Sequence, residues 1–198
     1  EASGHALPAL VPMDFASAKP DDYLALAEQL ENTFGRLDGL LHNASILGDL
    51  SPIEHYDPAL WRRVMAVNLD APFALTQVCL PLLNNSQSSS VIFTSSGVGR
   101  KGRAHWGAYA VSKFGIEGLA QVLADELEGT AVRVNTINPG ATATAMRRAA
   151  YPAEDASSLP SPQDIMPLYI HLMSQDSATT HGESLNARDW IGHGKLTH

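Results

Sequence analysis

The stretch SSVIFTSS at residues 89–96 decides the fold of this chain, because a loop, a helix and another strand follow it directly. It is a short run, rich in β-branched and apolar residues, of the length expected for a buried strand. The Gly-rich, basic segment 97–107 predicts a loop, residues from about 108 to 128 predict a helix, and VRVNTIN at 132–138 predicts the next strand. A strand, a crossover helix and a second strand form the βαβ unit of a parallel sheet.

The segments before this unit continue the alternation of strands and helices. LDGLLHN at 37–43 predicts a buried strand, and ALPALVPMD at 6–14 is expected to end in a strand. Between them, Asp21 or Asp22 is suited to cap a helix that Gly35 ends. The apolar positions of this helix, four residues apart, are Leu26, Leu30 and Phe34.

A long helix is predicted over 57–83. Asp57 is placed to cap it and Pro58 occupies its first position, where a missing N–H costs nothing. Pro72 and Pro81 are expected to bend or shorten it, because each removes a helical hydrogen bond.

The C-terminal third has weaker signals. The polar, Pro-rich stretch 150–162 predicts a mobile loop. Ser161–Pro162 is expected to open the last helix, and GESLNA at 182–187 predicts a final short strand. The whole pattern predicts a three-layer α/β fold with a doubly wound, Rossmann-like parallel sheet, forming one domain over 1–198. No glycine-rich turn opens the chain, so the N-terminal strand–helix–strand of such a fold is expected to be missing, with at least one βαβ unit upstream of Glu1.

Composition excludes several classes of partner. The 198 residues include 13 basic and 21 acidic side chains, for a net charge of −8, which argues against a nucleic-acid or anionic-membrane partner. No apolar run approaches the ~20 residues of a membrane span, and the start does not resemble a signal peptide. The eight histidines form no HxH or HExxH pair, so no metal site is predicted. The single cysteine, Cys79, is better explained as an apolar filler than as a nucleophile, and it favours a cytoplasmic location.

The strongest candidate for chemistry is the pair Tyr109 and Lys113 in YAVSK. A spacing of four residues on a helix places both side chains on one face, with about 5–6 Å between their Cβ atoms. A nearby ammonium favours the phenolate and is expected to lower the phenol's pKa toward the working range of an acid or base. The spacing alone is weak, since a solvated surface pair has the same pattern.

Two polar residues add context to this pair. Ser96 ends a strand 13 positions before Tyr109, where its hydroxyl can hydrogen-bond a substrate carbonyl oxygen; ordinary turn chemistry of Ser95–Ser96 is the alternative. Asn68 lies inside the predicted long helix, where asparagine is unfavourable. It is either a helix irregularity or a residue that holds a water in a proton chain reaching Lys113.

Two turns follow predicted strands at the sheet edge where parallel sheets bind ligands. HNAS at 42–45 has small residues that allow close approach to the backbone, and INPGATAT at 137–144 combines a Pro139–Gly140 turn with donors from threonine. Each motif is equally a plain strand-to-helix turn. Asp14 is ambiguous between a helix-side cap and an adenine contact.

In this order, HNAS, Asn68, Ser96, YAVSK and NPG at 138–140 resemble the short-chain dehydrogenase/reductase family over nearly the whole chain. Longer stretches resemble the YciK-like branch of bacterial oxidoreductases within that family. They are HNASILGD, FTSSGVGRKGRAHWGAYAVSKFGIEG, INPGATATAMR and DIMPLY.

The resemblance implies a role for each matching position. Tyr109 matches the catalytic acid/base, Ser96 the residue that polarises the carbonyl, Asn68 the proton-relay position, and Lys113 the residue that binds the nicotinamide ribose and tunes the tyrosine. Tyr109 is expected to bind the cofactor together with Lys113. The remaining cofactor-binding positions are Asp14 at the adenine, Asn43 and Ala44 along the adenine ribose, and Pro139, Gly140, Thr142 and Thr144 around the nicotinamide.

Three features depart from the family pattern. The glycine-rich phosphate loop is absent, and with it the residue that distinguishes NAD from NADP. Ser45 stands where the family usually has glycine, and Ala143 stands where the YciK-like branch has arginine. The short stretch after Pro139 favours the compact reductase type over longer members with a separate substrate domain.

The resemblance implies hydride transfer between NADP(H), or alternatively NAD(H), and a carbonyl or secondary alcohol of a small molecule. The alternatives are a non-catalytic nucleotide-binding scaffold or regulator and, least favoured, a structural interaction module. A homodimer or homotetramer is expected through the helices 57–83 and 108–128. The basic residues Arg100, Lys101 and Arg103 either attract an anionic substrate or form a solvated loop face.

Overall fold

The computed structural model describes residues 8–192 and is built around a parallel sheet of four strands in the order β1-β2-β3-β4. The strands are β1 Gly39–His42, β2 Ser89–Thr94, β3 Val132–Asn138 and β4 Ser184–Asn186. The helices are α1 Pro20–Phe34, α2 Pro58–Met65, α3 Ala71–Asn84, α4 Gly107–Glu126, α5 Ala145–Ala150 and α6 Met166–Met173. All three strand pairs are parallel, as the βαβ pattern predicts.

Alternate residues of β2 face opposite layers of helix. Val91 and Phe93 belong to a core shared with α3 and α4, whereas Ile92 belongs to a second core shared with α6. Because side chains of a strand alternate between its faces, helices cover both sides of the sheet. The predicted three-layer α/β architecture is therefore confirmed. Full burial of each of these side chains stabilises the fold by roughly 1.5–3 kcal/mol.

The predicted long helix is continuous but irregular. Asp57 caps it, accepting hydrogen bonds from the backbone N–H groups of Ala59 and Leu60 at 3.0 and 3.2 Å. The irregularity is a π-helical turn at Ala66–Asp70, which joins α2 to α3. Such turns accommodate an extra residue within a helix and are frequent at functional sites.

By length and composition alone, the joined helix Pro58–Asn84 is long and apolar enough to cross a membrane, contrary to the expectation that no run approaches that length. Its most apolar window is 44% buried in the protein. Cys79 and Leu83 from this helix belong to the core beneath the sheet. These contacts are those of a core helix.

The N-terminal expectations are partly wrong. Within residues 8–14 no strand forms, since no described strand lies alongside to supply hydrogen bonds; Ala6 and Leu7 fall outside the described residues. β1 is not buried as predicted, because it forms one edge of the described sheet, and Leu41 is 42% exposed. The first helix begins at Pro20, with Asp22 accepting from the Lys19 N–H at 2.7 Å.

Two further details differ from the sequence expectations. Gly35 ends α1 in the left-handed conformation as predicted, but Phe34 is 62% exposed and does not join the core. The segment 150–162 was predicted as a loop, and the helix α5 before it was not predicted. Arg147 of α5 forms a two-point ion pair with Glu154, both contacts being 2.6 Å, which holds part of that loop.

Candidate active site

A cavity of about 790 Å³ opens at the carboxyl ends of the strands, where the turns after β1, β2 and β3 meet the start of α4. Eight of the eleven residues predicted for the site line it: Asn43, Ser96, Tyr109, Lys113, Pro139, Gly140, Thr142 and Thr144. Asn68, Asp14 and Ala44 do not. The parallel arrangement explains the convergence, because equivalent strand ends lie at one edge of the sheet.

Tyr109 and Lys113 lie one helical turn apart in α4, and both are buried, with 8% and 3% of their surface exposed. The ammonium of Lys113 lies 5.6 Å from the centroid of the Tyr109 ring. Its Nζ donates a hydrogen bond to the backbone carbonyl of Thr94 at 2.8 Å. The lysine therefore couples α4 to the end of β2 as well as to the phenol.

Burial dominates the acid–base properties of the pair. Desolvation raises the pKa of the Tyr109 phenol, while the neighbouring Ser96 hydroxyl acts in the opposite direction. Burial also lowers the pKa of Lys113 to about 8. The expected decrease of the tyrosine pKa is therefore wrong for this structure, because the low-dielectric surroundings disfavour the phenolate more than its neighbours stabilise it.

Ser96 begins the short 3₁₀ turn Gly97–Gly99, which follows β2. Its Oγ accepts a hydrogen bond from the Val98 N–H at 3.4 Å and also faces the cavity, so the turn role and the candidate site role coincide. The turn packs closely on α4: a Cβ added to Gly99 would lie 2.7 Å from the Cβ of Lys113. Glycine at 99 therefore permits the approach of the Ser96 turn to the lysine.

Asn68 occupies the π-helical turn and is almost fully buried. Its Oδ1 accepts from the Ile46 N–H at 2.8 Å, and its Nδ2 donates to the Ile46 carbonyl at 2.9 Å and to Ser112 Oγ at 3.1 Å. The side chain thus joins the loop after β1 to the residue beside Lys113. It is both a helix irregularity and a support for the site.

The turn after β1 supplies Asn43 but not Ala44. Asn43 Oδ1 accepts from the Thr94 hydroxyl at 3.0 Å, and that hydroxyl also lies 3.3 Å from the Tyr169 hydroxyl. Ala44 is exposed outside the cavity. Ser45, the departure from the family glycine, lines the cavity, and its buried hydroxyl has no hydrogen-bond partner among the described residues.

The turn after β3 shapes the opposite wall. Gly140 adopts a positive φ of 73°, where an added Cβ would also lie 3.0 Å from the Arg188 side chain. Thr142 is buried in this wall, and Thr144 caps α5 by accepting from the Arg147 N–H at 3.1 Å. Thr144 therefore both caps α5 and lines the cavity.

Asp14 lies apart from the cavity. Its Oδ1 accepts from the Ala16 N–H at 3.0 Å and its Oδ2 from the Ser17 hydroxyl at 3.1 Å. It borders a smaller cleft with residues of α1. Of the two alternatives for Asp14, the described contacts are those of a local cap.

Sequence patterns missed several lining residues. Trp106 lies next to Tyr109, with ring centroids 5.7 Å apart, and Tyr151 lies 6.0 Å beyond Trp106. Tyr169 of α6 and Asn138 at the end of β3 also line the cavity. Sequence position could have indicated two of them, because Asn138 ends a predicted strand and Trp106 lies three residues before Tyr109. Tyr151 and Tyr169 come from distant parts of the chain, and no local pattern indicates them.

The basic residues of the 97–107 loop separate into two groups. Arg100 Nε pairs with Glu117 Oε1 at 2.9 Å, and its Nη1 donates to Asn186 Oδ1 at 2.8 Å. Arg100 is therefore not part of a solvated loop face, but ties the loop to α4 and β4. Lys101 and Arg103 instead line the cavity.

Comparisons with known proteins agree with this geometry. A family model described as short chain dehydrogenase matches residues 4–155. The uncharacterized oxidoreductase YciK of Escherichia coli K12 is 50% identical over 176 residues, which cover 89% of this chain and 69% of the relative.

Solved structures resemble the fold throughout. A short chain dehydrogenase structure from Pseudomonas syringae is 53% identical, with a TM-score of 0.92 over 94% of this chain and 76% of that one. A short chain dehydrogenase from Escherichia coli CFT073 complexed with NADPH is 51% identical, with a TM-score of 0.87 over 89% of this chain and 73% of that one.

Proposed function

The chain belongs to the short-chain dehydrogenase family, and from that premise we propose that it transfers a hydride reversibly between NADP(H) and the carbonyl carbon of a small molecule. The observation that carries the proposal is the convergence of Ser96, Tyr109 and Lys113 on one cavity. NADP(H) is proposed over NAD(H) because structures of similar proteins contain NADPH and NADP.

The residues of the cavity fit the nicotinamide and ribose end of such a cofactor. Ser45 carries a buried hydroxyl without a protein partner among the described residues, and so has hydrogen-bonding capacity to spare. Gly140 permits the positive φ of 73° at the turn that forms this wall. We assign Asn43, Lys113 and the turn Pro139–Gly140 to this end of the cofactor, with Thr142 and Thr144 beside it.

The protein's own groups manage the proton. When bound, NADPH supplies the hydride that reduces the carbonyl carbon. The Tyr109 hydroxyl donates its proton to the carbonyl oxygen, and the raised pKa keeps it protonated until that oxygen becomes negative. The Ser96 hydroxyl donates a hydrogen bond to the same oxygen and stabilises the developing charge.

Lys113 restores the proton lost from Tyr109. Its pKa of about 8 allows the ammonium both to release a proton and to regain one from solvent near neutral pH. The side-chain amide of Asn68 already forms hydrogen bonds with Ile46 and Ser112. The main chain of residue 68 is therefore proposed to bind the relay water. The side chain itself positions α4.

The test is Tyr109→Phe, assayed by NADPH oxidation against a panel of aliphatic, alicyclic and aryl ketones. Loss of the proton donor should lower the turnover of any accepted ketone by about 10²–10⁴-fold. NADPH affinity, measured by cofactor fluorescence, should change less than about twofold, since binding does not require the phenolic proton.

Tyr23→Phe, a buried tyrosine away from the cavity, is the matched control. Undiminished turnover in Tyr109→Phe overturns the proposal, and NADPH binding without turnover of any ketone by the wild type supports the scaffold alternative.

We also propose that two copies associate through α3 and α4. A stripe of exposed apolar side chains runs along α4 at helical spacing, formed by Val111, Phe114 and Val122, with Phe73 exposed on α3. Light scattering should report a dimer or larger oligomer, and Phe114→Glu should dissociate it. A monomeric wild-type protein at micromolar concentration contradicts the assignment. A cytoplasmic location stays a prediction.

A further inference from the structure

The cavity differs in charge from the rest of the chain. Its lining includes four basic side chains, Lys101, Arg103, Lys113 and Arg147, and among the described residues no aspartate or glutamate. The chain as a whole has 21 acidic residues against 13 basic ones. A cavity that excludes the more abundant charge has a positive potential, which favours an anionic occupant.

Two of these four cations already have a partner or a function. Lys113 belongs to the proton-transfer pair, and the charge of Arg147 is balanced by Glu154 through two contacts of 2.6 Å. Lys101 and Arg103 form no ion pair with any carboxylate in residues 8–192. The positive charge available to a substrate is therefore at these two residues.

Arg103 is held in place by an aromatic residue. Its Nη1 donates to the Tyr151 hydroxyl at 2.6 Å, and no other hydrogen bond from its guanidinium is made within the described chain. The remaining donors include a second edge of the guanidinium, which matches the two oxygens of a carboxylate. Tyr151 thereby orients Arg103 without neutralising it.

An apolar path connects Arg103 with the catalytic phenol. From Tyr109 the path runs to the Trp106 ring at 5.7 Å and from Trp106 to the Tyr151 ring at 6.0 Å. The Tyr151 hydroxyl in turn accepts the hydrogen bond from Arg103. A ligand with its carbonyl at Tyr109 and its anionic end at Arg103 must place an apolar body along Trp106.

We propose that the substrate is an oxo acid, in which an apolar chain or ring separates the reacting carbonyl from a carboxylate that Arg103 binds. Lys101 adds to the field at the same end. This inference rests on the proposed function, because it specifies the class of carbonyl compound that the same site accepts.

The experiment compares benzoylpropionate with its methyl ester, which has the same carbonyl and aryl group but no charge. Binding to the protein is measured by calorimetry with NADP⁺, which cannot reduce a ketone, and again without cofactor, so that the result does not depend on turnover. The acid should bind at least about tenfold more tightly than the ester. The difference should shrink as salt is added.

Variants assign the effect to one side chain. Arg103→Gln should bring the affinity of the acid down to that of the ester and leave the ester unchanged within about twofold. Arg148→Gln, an exposed arginine of α5 outside the cavity, should preserve the preference. Three results with the wild type overturn the inference: equal affinities, tighter binding of the ester, or no binding of the acid in either condition. An unchanged preference in Arg103→Gln overturns it as well. Hydride transfer is judged separately by Tyr109→Phe, so the two failures are distinguishable.

Discussion

Lys113 donates a hydrogen bond from its Nζ to the backbone carbonyl of Thr94, at a distance of 2.8 Å. Thr94 is the last residue of β2, so the lysine of α4 is held at the strand end that leads into Ser96. The ammonium reaches the Tyr109 ring only across 5.6 Å to its centroid. Its hydrogen bond is to the sheet edge and not to the phenol.

The buried ammonium predicts an alkaline gain in stability. Lys113 has a pKa of about 8 in the fold and 10.5 when exposed, so the unfolded chain binds more protons between these values. The resulting cost of about 3 kcal/mol is complete below pH ~8 and is relieved as the pH rises toward ~10.5.

We therefore expect wild-type stability to increase, relative to Lys113→Met, when urea unfolding is measured at successive pH values from about 7 to 10. The exposed Lys101→Met serves as control and should show no such trend. Parallel stability curves for wild type and Lys113→Met would contradict the assignment.

Asn68→Ala should destabilise the protein by about 2–4 kcal/mol in denaturant unfolding. The substitution leaves the N–H and carbonyl of Ile46 without their partner and breaks the link to Ser112. Asn84→Ala, exposed at the end of the same joined helix, should change stability by less than about 0.5 kcal/mol. Equal effects of the two substitutions would show that Asn68 does not join these elements.

Glu117→Gln should destabilise the protein by about 2 kcal/mol at neutral pH. Glu117 pairs with Arg100 at 2.9 Å and accepts hydrogen bonds from Thr136 and Ser184 at 2.9 and 2.8 Å. Burial raises the pKa of Glu117, but hydrogen bonds from neighbouring donors outweigh it and the net shift is downward.

A lowered carboxyl pKa stabilises the fold above its unfolded value and loses that effect as the pH falls through the folded value. The stability difference between wild type and Glu117→Gln should therefore shrink in acid. Glu126→Gln, exposed on the same helix, is the control. A difference that stays constant down to the acid transition would refute the charge-based explanation.

Gly99→Ala should lower stability by about 1–3 kcal/mol and reduce turnover. The new Cβ would lie 2.7 Å from Lys113 Cβ and 2.8 Å from its backbone carbon, so the Ser96 turn must move away from α4. Gly102→Ala in the same loop meets nothing within 4 Å and should be neutral. Both variants are compared by thermal unfolding and by a ketone reduction assay. Equal losses of stability and turnover in Gly99→Ala and Gly102→Ala would contradict a specific close contact at Gly99.

Local patterns predicted the elements of the central unit because strand and helix periods depend on residues near one another in the chain. β2, β3 and α4 lie where the sequence indicated, within one or two residues. Expectations that depended on neighbouring elements were less successful. Residues 8–14 form no strand, and β1 is an exposed edge, because pairing and burial come from strands elsewhere in the sheet.

The same distinction applies to the candidate site. The sequence by itself determined that Tyr109 and Lys113 share a helix face, because a four-residue spacing corresponds to about one helical turn. Only the tertiary structure decided that burial raises the pKa of the tyrosine, that Lys113 bonds Thr94, and that Arg100 is neutralised while Arg103 is not. Desolvation and ion pairing depend on partners far away in the chain, such as Glu117 for Arg100, and a local pattern carries no information about them.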